Sequence, residues 1–263
     1  MKAWKRIHIT KKRAACGVLG LLLLAAAYMG VPRAAEKVFA VAEGERRLPI
    51  YCVQTEKPQV SVSFDAAWGA DDTDELLRIL KENDVKATFF LCGYWVEKYP
   101  EEVKKIAAEG HDLGNHSATH PHMSRISSEE IAQELQKCHE NVKKLTGVEM
   151  ELFRPPFGEY DNHVIETAEQ NGYYTIQWDV DSLDWKEQGA EAEIRQVLEH
   201  KHLGNGSIIL FHNDAKYTPK VLDTILKGIK EKGFEIVPIS QLIHRENFEM
   251  DHEGRQILKG KEA

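Results

Sequence analysis

Short β-rich runs alternate with helical patterns along most of this chain, and this alternation constrains its fold more than any other feature. Seven runs predict strands: Val60–Asp65, Ala87–Leu91, Asp112–Asn115, Glu151–Phe153, Tyr174–Trp178, Ser207–Phe211 and Phe234–Val237. The clearest helix between them follows Ser127, where Ser-Ser-Glu-Glu forms a capping box before an apolar stripe. Strands separated by helices favour a largely parallel sheet, and therefore an α/β fold.

The chain contains no glycine-rich loop of the kind that binds phosphates. Neither G-x-G-x-x-G nor G-x-x-x-x-G-K-[ST] occurs in the sequence. Seven β/α units without such a loop favour a barrel-like arrangement over a dinucleotide-binding sheet. In parallel α/β folds the chemistry lies at the carboxyl ends of the strands, so polar residues at those ends are the candidate functional groups.

The two ends of the chain differ from its middle. Residues 1–13 carry six Lys/Arg and no acid, and residues 14–31 are an uncharged apolar segment. This pattern predicts a membrane-anchoring or signal helix with its amino end in the cytoplasm and the main domain outside it; anchor and cleaved signal both fit. We expect a linker over 32–57, one domain over 58–243 and a charged tail, frayed or helical, over 244–263.

Composition excludes some classes of function. Beyond the basic leader, 28 basic residues stand against 42 acidic ones, and an acidic body repels phosphate backbones, which argues against nucleic-acid binding. Cys52, Cys92 and Cys138 form no C-x-x-C pair. This spacing indicates buried free thiols rather than a disulfide framework or a zinc ribbon.

Polar residues with complementary chemistry follow five of the predicted strands. Asp65 ends the first strand, and His116 and His120 follow the third. The two histidines are four residues apart, so a helical or tightly turned backbone can direct both imidazoles at one metal ion, preferably zinc. Arg154 directly follows the fourth strand, and two prolines come directly after Arg154. His212 ends the sixth, where an imidazole can donate a proton. Such a set is hard to attribute to packing.

The segment after the fifth strand mixes acids with indoles. Trp178 to Trp185 places three aspartates between two tryptophans, a combination that suits sugar rings through stacking and hydrogen bonds. A capped turn with core tryptophans is the structural alternative.

Five motifs, SFDAAWG, HSATH, RPPFG, DSLDW and LFH, occur in this order between about Pro58 and Ile243. In this respect the chain resembles the polysaccharide deacetylases of carbohydrate esterase family four, the NodB-like proteins, and is most similar to the sporulation-type PdaB-like deacetylases. The resemblance implies a deformed (β/α)7 barrel. It also implies a hydrolase that removes acetyl groups from N-acetylated, peptidoglycan-type cell-wall glycan. From the amino-terminal segment we expect the protein to act outside the cytoplasm, and we expect a monomer.

The resemblance also assigns roles to individual residues. Asp65 would be the general base, His212 the general acid, Arg154 the tether of the base, and Asp184 the group that orients His212. The implied cofactor is a divalent metal, Zn²⁺ in first place. His116 and His120 would bind the metal. Trp185, Phe157 and Leu210 would contact the sugar.

One position departs from the family pattern. The residue after the base is usually a second aspartate that supplies the third metal ligand, and here it is Ala66. Two histidines alone should bind zinc more weakly than three protein ligands. Asp65, Asp71 and Asp72 are the candidates for the missing ligand. A catalytically impaired deacetylase-fold protein that binds glycan is the alternative function, whereas a metalloprotease is disfavoured because H-E-x-x-H is missing.

Overall fold

The computed structural model describes residues 46–260. In chain order the strands are β1 (Cys52–Val53), β2 (Gln59–Ala66), β3 (Thr88–Leu91), β4 (Asp112–Asn115), β5 (Leu152–Phe153), β6 (Tyr174–Thr175), β7 (Val180–Asp181), β8 (Ile208–His212), β9 (Glu235–Ile236), β10 (Phe248–Met250) and β11 (Arg255–Leu258). The helices are α1 (Thr73–Glu82), α2 (Gly93–Lys98), α3 (Pro100–Ala108), α4 (Ser128–Thr146), α5 (Asn162–Gln170), α6 (Ala190–Leu198), α7 (Thr218–Glu231) and α8 (Ile239–Leu242).

Seven strands form a parallel sheet in the order β6, β5, β4, β3, β2, β8, β7, and β9 pairs with the start of β2. With helices between its strands, this sheet fits the deformed (β/α) barrel that the sequence predicts. Its register aligns the carboxyl ends of neighbouring strands: Asp65 of β2 lies opposite Phe90 of β3 and His212 of β8. The functional residues predicted at separate strand ends are therefore brought to one edge.

Aromatic side chains fill the core next to that edge. The Phe64 ring on β2 stacks on Phe89 of β3 and Phe211 of β8, with ring centroids 4.9 and 5.6 Å apart. All three side chains are buried. Burying one such side chain contributes about 1.5–3 kcal/mol. Packing against β3 thus fixes β2 and β8, the two strands that carry Asp65 and His212.

Helix α4 shows how local sequence sets the helix bounds. The Ser127 hydroxyl accepts a hydrogen bond from the Glu130 backbone N–H, and the Glu130 carboxylate accepts one from the Ser127 backbone N–H at 2.8 Å. This is the predicted capping box. Gly147 ends the helix with a left-handed φ of 75°, a conformation that costs glycine little.

No helix within residues 46–260 is both long and apolar enough to cross a membrane. The basic leader (1–13), the apolar segment (14–31) and most of the expected linker lie outside the described residues. The three cysteines beyond the apolar segment are buried free thiols, as predicted.

The expected linker and tail differ from the structure. β1 pairs with β11 in parallel, and β11 pairs with β10 antiparallel, so chain near residue 52 and chain near 256 share a three-stranded sheet. Ile50 and Val53 are buried. The prediction of a linker up to residue 57 and of a frayed or helical tail was wrong for these segments, because β1 and β11 pair across some 200 residues and β10 then adds to β11.

The fifth predicted strand, Tyr174–Trp178, is also shorter than expected. Ladder pairing stops after Thr175, and Ile176 forms a single parallel bridge with Ile50. The chain then passes from β6 at one edge of the sheet to β7 at the other. In this passage the Gln177 backbone N–H donates to the Ile50 carbonyl, so the backbone is bonded without belonging to a strand.

Candidate active site

Asp65 and Arg154 form a buried ion pair at the strand ends. The Asp65 residue is 4% exposed and Arg154 is 0% exposed, and Arg154 Nη1 donates to Asp65 Oδ1 at 2.7 Å. Arg154 Nη2 donates to the Gln177 carbonyl oxygen, and the guanidinium lies over the Phe90 ring, 4.1 Å from its centroid. Burial alone raises the pKa of Asp65, but the charge and hydrogen bond of Arg154 and the charge of His212 outweigh this effect, so the pKa lies below its usual range. Asp65 is therefore an ionised carboxylate.

A tight loop presents the two histidines of the HSATH motif. Ser117 and His120 both adopt positive φ, 66° and 58°, and the Ser117 hydroxyl accepts a hydrogen bond from the His120 backbone N–H. Glu134 of α4 fixes the loop by accepting the backbone N–H groups of Ala118 and Thr119 at 2.9 and 2.7 Å. Of the two backbone geometries that the spacing allows, the structure has the turn rather than the helix.

Both imidazoles are neutral and lie side by side, with ring centroids 4.9 Å apart. Burial lowers the pKa of His116, and burial lowers that of His120 to about 4. His116 Nδ1 donates to the Arg154 carbonyl oxygen at 2.8 Å, since a carbonyl can only accept. Its Nε2 lone pair is thereby directed towards Asp65 Oδ2, 3.7 Å away. Neutral imidazole nitrogens with free lone pairs suit a divalent cation.

These donors stop short of a complete metal site. Ala66 is buried at the end of β2 and has no ligand atom. Asp71 is exposed, and Asp72 accepts the Asp214 backbone N–H; neither lines the cleft beside the histidines. Within residues 46–260, no group of three or more His, Cys, Asp or Glu side chains is arranged to hold a metal ion. The residues present therefore do not fit the three-ligand zinc site of the predicted type, and the third ligand stays unassigned.

Asp184 clamps His212 on the neighbouring strand. Asp184 Oδ1 lies 2.7 Å from His212 Nδ1, and Asp184 Oδ2 accepts the His212 backbone N–H at 2.7 Å. Asp184 is 2% exposed and also accepts the Trp185 backbone N–H. Burial alone lowers the pKa of His212, but the hydrogen bond and charge of Asp184 prevail and raise it above its usual value. The protonated imidazole is favoured, with Nε2 as its unclamped nitrogen.

A cavity of about 750 Å³ connects these groups. The residues predicted to contact sugar all line it: Trp185 and Phe157, which are 58% and 57% exposed, and Leu210, which is buried. His122 stacks on Phe157 with ring centroids 4.4 Å apart, which holds the phenyl ring at the rim. The cleft thus combines an ionised carboxylate, an imidazole whose pKa is raised and two neutral imidazoles with exposed aromatic walls.

Sequence reasoning missed two residues that shape the cleft. Trp68 is 57% exposed and lies edge-on to both His120 and His212, with ring centroids 6.0 Å apart in each case. It belongs to the SFDAAWG motif, so the motif itself could have indicated it. Glu134, which fixes the HSATH loop, lies on a partly exposed helix surface with no distinguishing pattern. No sequence signal singled it out.

Comparisons with known proteins agree with the motifs and the fold. A family model described as polysaccharide deacetylase matches residues 53–176. The uncharacterized protein YlxY of Bacillus subtilis (strain 168) is 36% identical over 195 residues, 74% of this chain but only 60% of YlxY. A peptidoglycan-N-acetylglucosamine deacetylase of Bacillus cereus (strain ATCC 14579) is 34% identical, over 71% of this chain and 68% of the relative.

Among solved structures, BA3943 of Bacillus anthracis, described as a CE4 family pseudoenzyme, superposes with a TM-score of 0.71 at 36% identity. The match covers 74% of this chain and 68% of that one. A BA3943 mutant, described as having restored enzymatic activity, gives the same TM-score. Motifs, fold, family model and relatives together show that the chain belongs to the polysaccharide deacetylase family of hydrolases, the NodB-like carbohydrate esterase family four.

Proposed function

We propose that this protein removes N-acetyl groups from cell-wall glycan of the peptidoglycan type. One observation carries the proposal: Asp65, whose pKa is lowered beside Arg154, and His212, whose pKa is raised beside Asp184, lie at the ends of adjacent strands and face one cleft. Amide hydrolysis needs a base for the attacking water and an acid for the leaving nitrogen. Opposite pKa shifts in two neighbouring groups supply this division of roles.

The reaction follows from these two groups. Asp65 accepts a proton from water as the oxygen attacks the acetyl carbonyl carbon. The carbon–nitrogen bond then breaks, and His212 Nε2 gives its proton to the departing nitrogen. The products are acetate and a free amine on the sugar. Arg154 keeps the base ionised, and Asp184 fixes the ring so that Nε2 is the nitrogen turned to the substrate.

The walls of the cleft support a sugar as substrate. Exposed aromatic faces stack on pyranose rings, and Trp185, Phe157 and Trp68 offer such faces around the base and the acid. Leu210 adds apolar surface between them, where the methyl of an acetyl group would lie. Relatives whose names specify peptidoglycan deacetylases support cell-wall glycan as the polymer.

Replacing Trp68 with Ala is expected to weaken glycan binding in a way that tests this reading of the cleft. Loss of an aromatic contact worth about 0.5–1.5 kcal/mol raises KM roughly twofold to tenfold, with a smaller change in kcat. The measurement is acetate release from N-acetylglucosamine oligomers by the full-length chain.

Tyr94→Ala is the matched control, because Tyr94 is also exposed but does not line the cleft. Equal KM values for the two variants would show that Trp68 does not contact glycan.

A second function, glycan binding without hydrolysis, is favoured by the incomplete metal donor set, Ala66 above all. A relative described as a pseudoenzyme at 36% identity supports keeping it. Under this alternative, glycan oligomers bind the wild-type chain without any acetate appearing. Zinc as the metal, membrane attachment, a place outside the cytoplasm, the monomeric state and a role in sporulation stay predictions.

A further inference from the structure

A buried hydrogen-bonded chain continues behind Asp184, away from the cleft. Thr218, at the start of α7, places its hydroxyl oxygen 3.3 Å from Asp184 Oδ2 and 2.8 Å from Glu193 Oε1. Thr218 is 0% exposed and Glu193, on α6, is 4% exposed. His212, Asp184, Thr218 and Glu193 therefore form one continuous series, in which His212 and Asp184 line the cleft and Thr218 and Glu193 lie behind them.

The hydroxyl of Thr218 has one hydrogen for two carboxylates. If Glu193 is ionised, it can only accept, and the shorter distance directs the Thr218 hydrogen to it. Asp184 Oδ2 then loses a donor. If Glu193 is protonated, it donates to the Thr218 oxygen, and the Thr218 hydrogen turns to Asp184. The proton on Glu193 decides how many hydrogen bonds Asp184 receives, and a carboxylate with fewer donors accepts more strongly from His212.

The surroundings of Glu193 place this exchange near neutrality. Burial, together with the charge of Asp184, raises the pKa of Glu193 to about 7 against the lowering effect of its bond to Thr218. Asp184 is the charged group that faces it from the packed elements. On α6 itself, Glu191 and Arg195 are exposed, and Glu191 Oε2 lies 3.9 Å from Arg195 Nη1. The neutral side chains of Gln188 and Gln196 line the small cavity beside Glu193.

We propose that Glu193 is a positioning residue that acts through the Thr218 hydroxyl to set the strength of the Asp184–His212 hydrogen bond. The proposal rests on the proposed function only in that His212 is the proton donor. When Glu193 loses its proton, the Thr218 hydrogen leaves Asp184 and the His212 ring is held more tightly. When Glu193 regains it, the hold on His212 relaxes.

The test is an NMR titration of the full-length chain with labelled histidine and glutamate, without glycan. The Nδ1–H proton of His212 reports the hydrogen bond to Asp184. In the wild-type chain we expect a downfield step of this resonance as the pH rises through the titration of the Glu193 carboxyl. In Glu193→Gln, which keeps the shape of the side chain but does not titrate, the step is lost.

Two further variants distinguish an effect carried by the Thr218 hydroxyl from an effect of the Glu193 charge alone. Thr218→Val cuts the chain but leaves the Glu193 carboxyl, so Glu193 still titrates while the His212 step disappears. Glu191→Gln removes an equal charge from the exposed face of the same helix and leaves the step unchanged.

A step that survives in Thr218→Val, or one that is absent in the wild-type chain while Glu193 titrates, would overturn the proposal. Because no acetate is measured, an inactive protein could still show the coupling. Failure of the proposed function and failure of this inference are therefore distinguishable.

Discussion

We expect Asp184→Asn to lower acetate release about 10²- to 10⁴-fold, the range that a general acid contributes. The carboxylate now receives both the ring and the backbone N–H of His212 at 2.7 Å. An amide of the same shape carries no charge to stabilise the imidazolium and offers a competing N–H donor. In the variant, therefore, the positive charge of the His212 ring is less favoured and the orientation of the ring is no longer fixed.

The same substitution changes the pH dependence in a defined direction. In the proposed mechanism His212 has to be protonated, and Asp184 raises the pKa of His212, so we expect activity of the wild-type chain to persist to higher pH. Without that charge the pKa falls, and the alkaline limb of the kcat/KM profile moves to lower pH. Asp181→Asn is the control for charge alone, because Asp181 lines the cleft and raises the pKa of His212 less than Asp184 does, while its carboxylate accepts the Leu183 backbone N–H. Equal shifts in both variants would contradict the assigned role of Asp184.

Replacing Ala66 with Asp is expected to complete the metal site and to raise acetate release in the presence of zinc. The position ends β2 directly after Asp65, and its side chain is a buried methyl group. A third protein ligand beside two neutral imidazoles meets the usual minimum for catalytic zinc, so zinc affinity should rise about two orders of magnitude. Bound zinc after exhaustive dialysis and acetate released are measured on the same preparation.

Ala66→Asn separates ligation from the change of shape. The amide has nearly the same size as the carboxylate but is a poor zinc ligand, so we expect little gain in zinc affinity or rate. If both variants bind zinc equally, or if Ala66→Asp binds it no better than wild type, the missing carboxylate is not what limits the site. Circular dichroism of each variant confirms that the buried substitution has left the fold intact.

The parts of the site that could be predicted from the sequence are those whose place depends on neighbouring residues in the chain. A residue that ends a parallel strand is placed by the register of that strand, so Asp65, His116, Arg154 and His212 could be expected at one edge from their positions alone. The capping box at Ser127 is equally local, because its two hydrogen bonds join residues three apart.

What escaped prediction depends on partners distant in sequence. β1 and β11 pair although some 200 residues separate them, and strands of two to four residues are too short for alternation to be visible. Glu193 and Thr218 meet only because α6 packs on α7. In the sequence each resembles an ordinary helix residue. Their relation to Asp184 exists only in the folded chain.

The central claim is that Asp65 and His212 hydrolyse the N-acetyl groups of cell-wall glycan. The most direct test counts acetate and new free amines after peptidoglycan is incubated, at neutral pH with added divalent metal, with the full-length wild-type chain or with Asp65→Asn. We expect equal amounts of the two products from the wild-type chain and neither above background from Asp65→Asn. Glycan that binds the wild-type chain and keeps every acetyl group would contradict it.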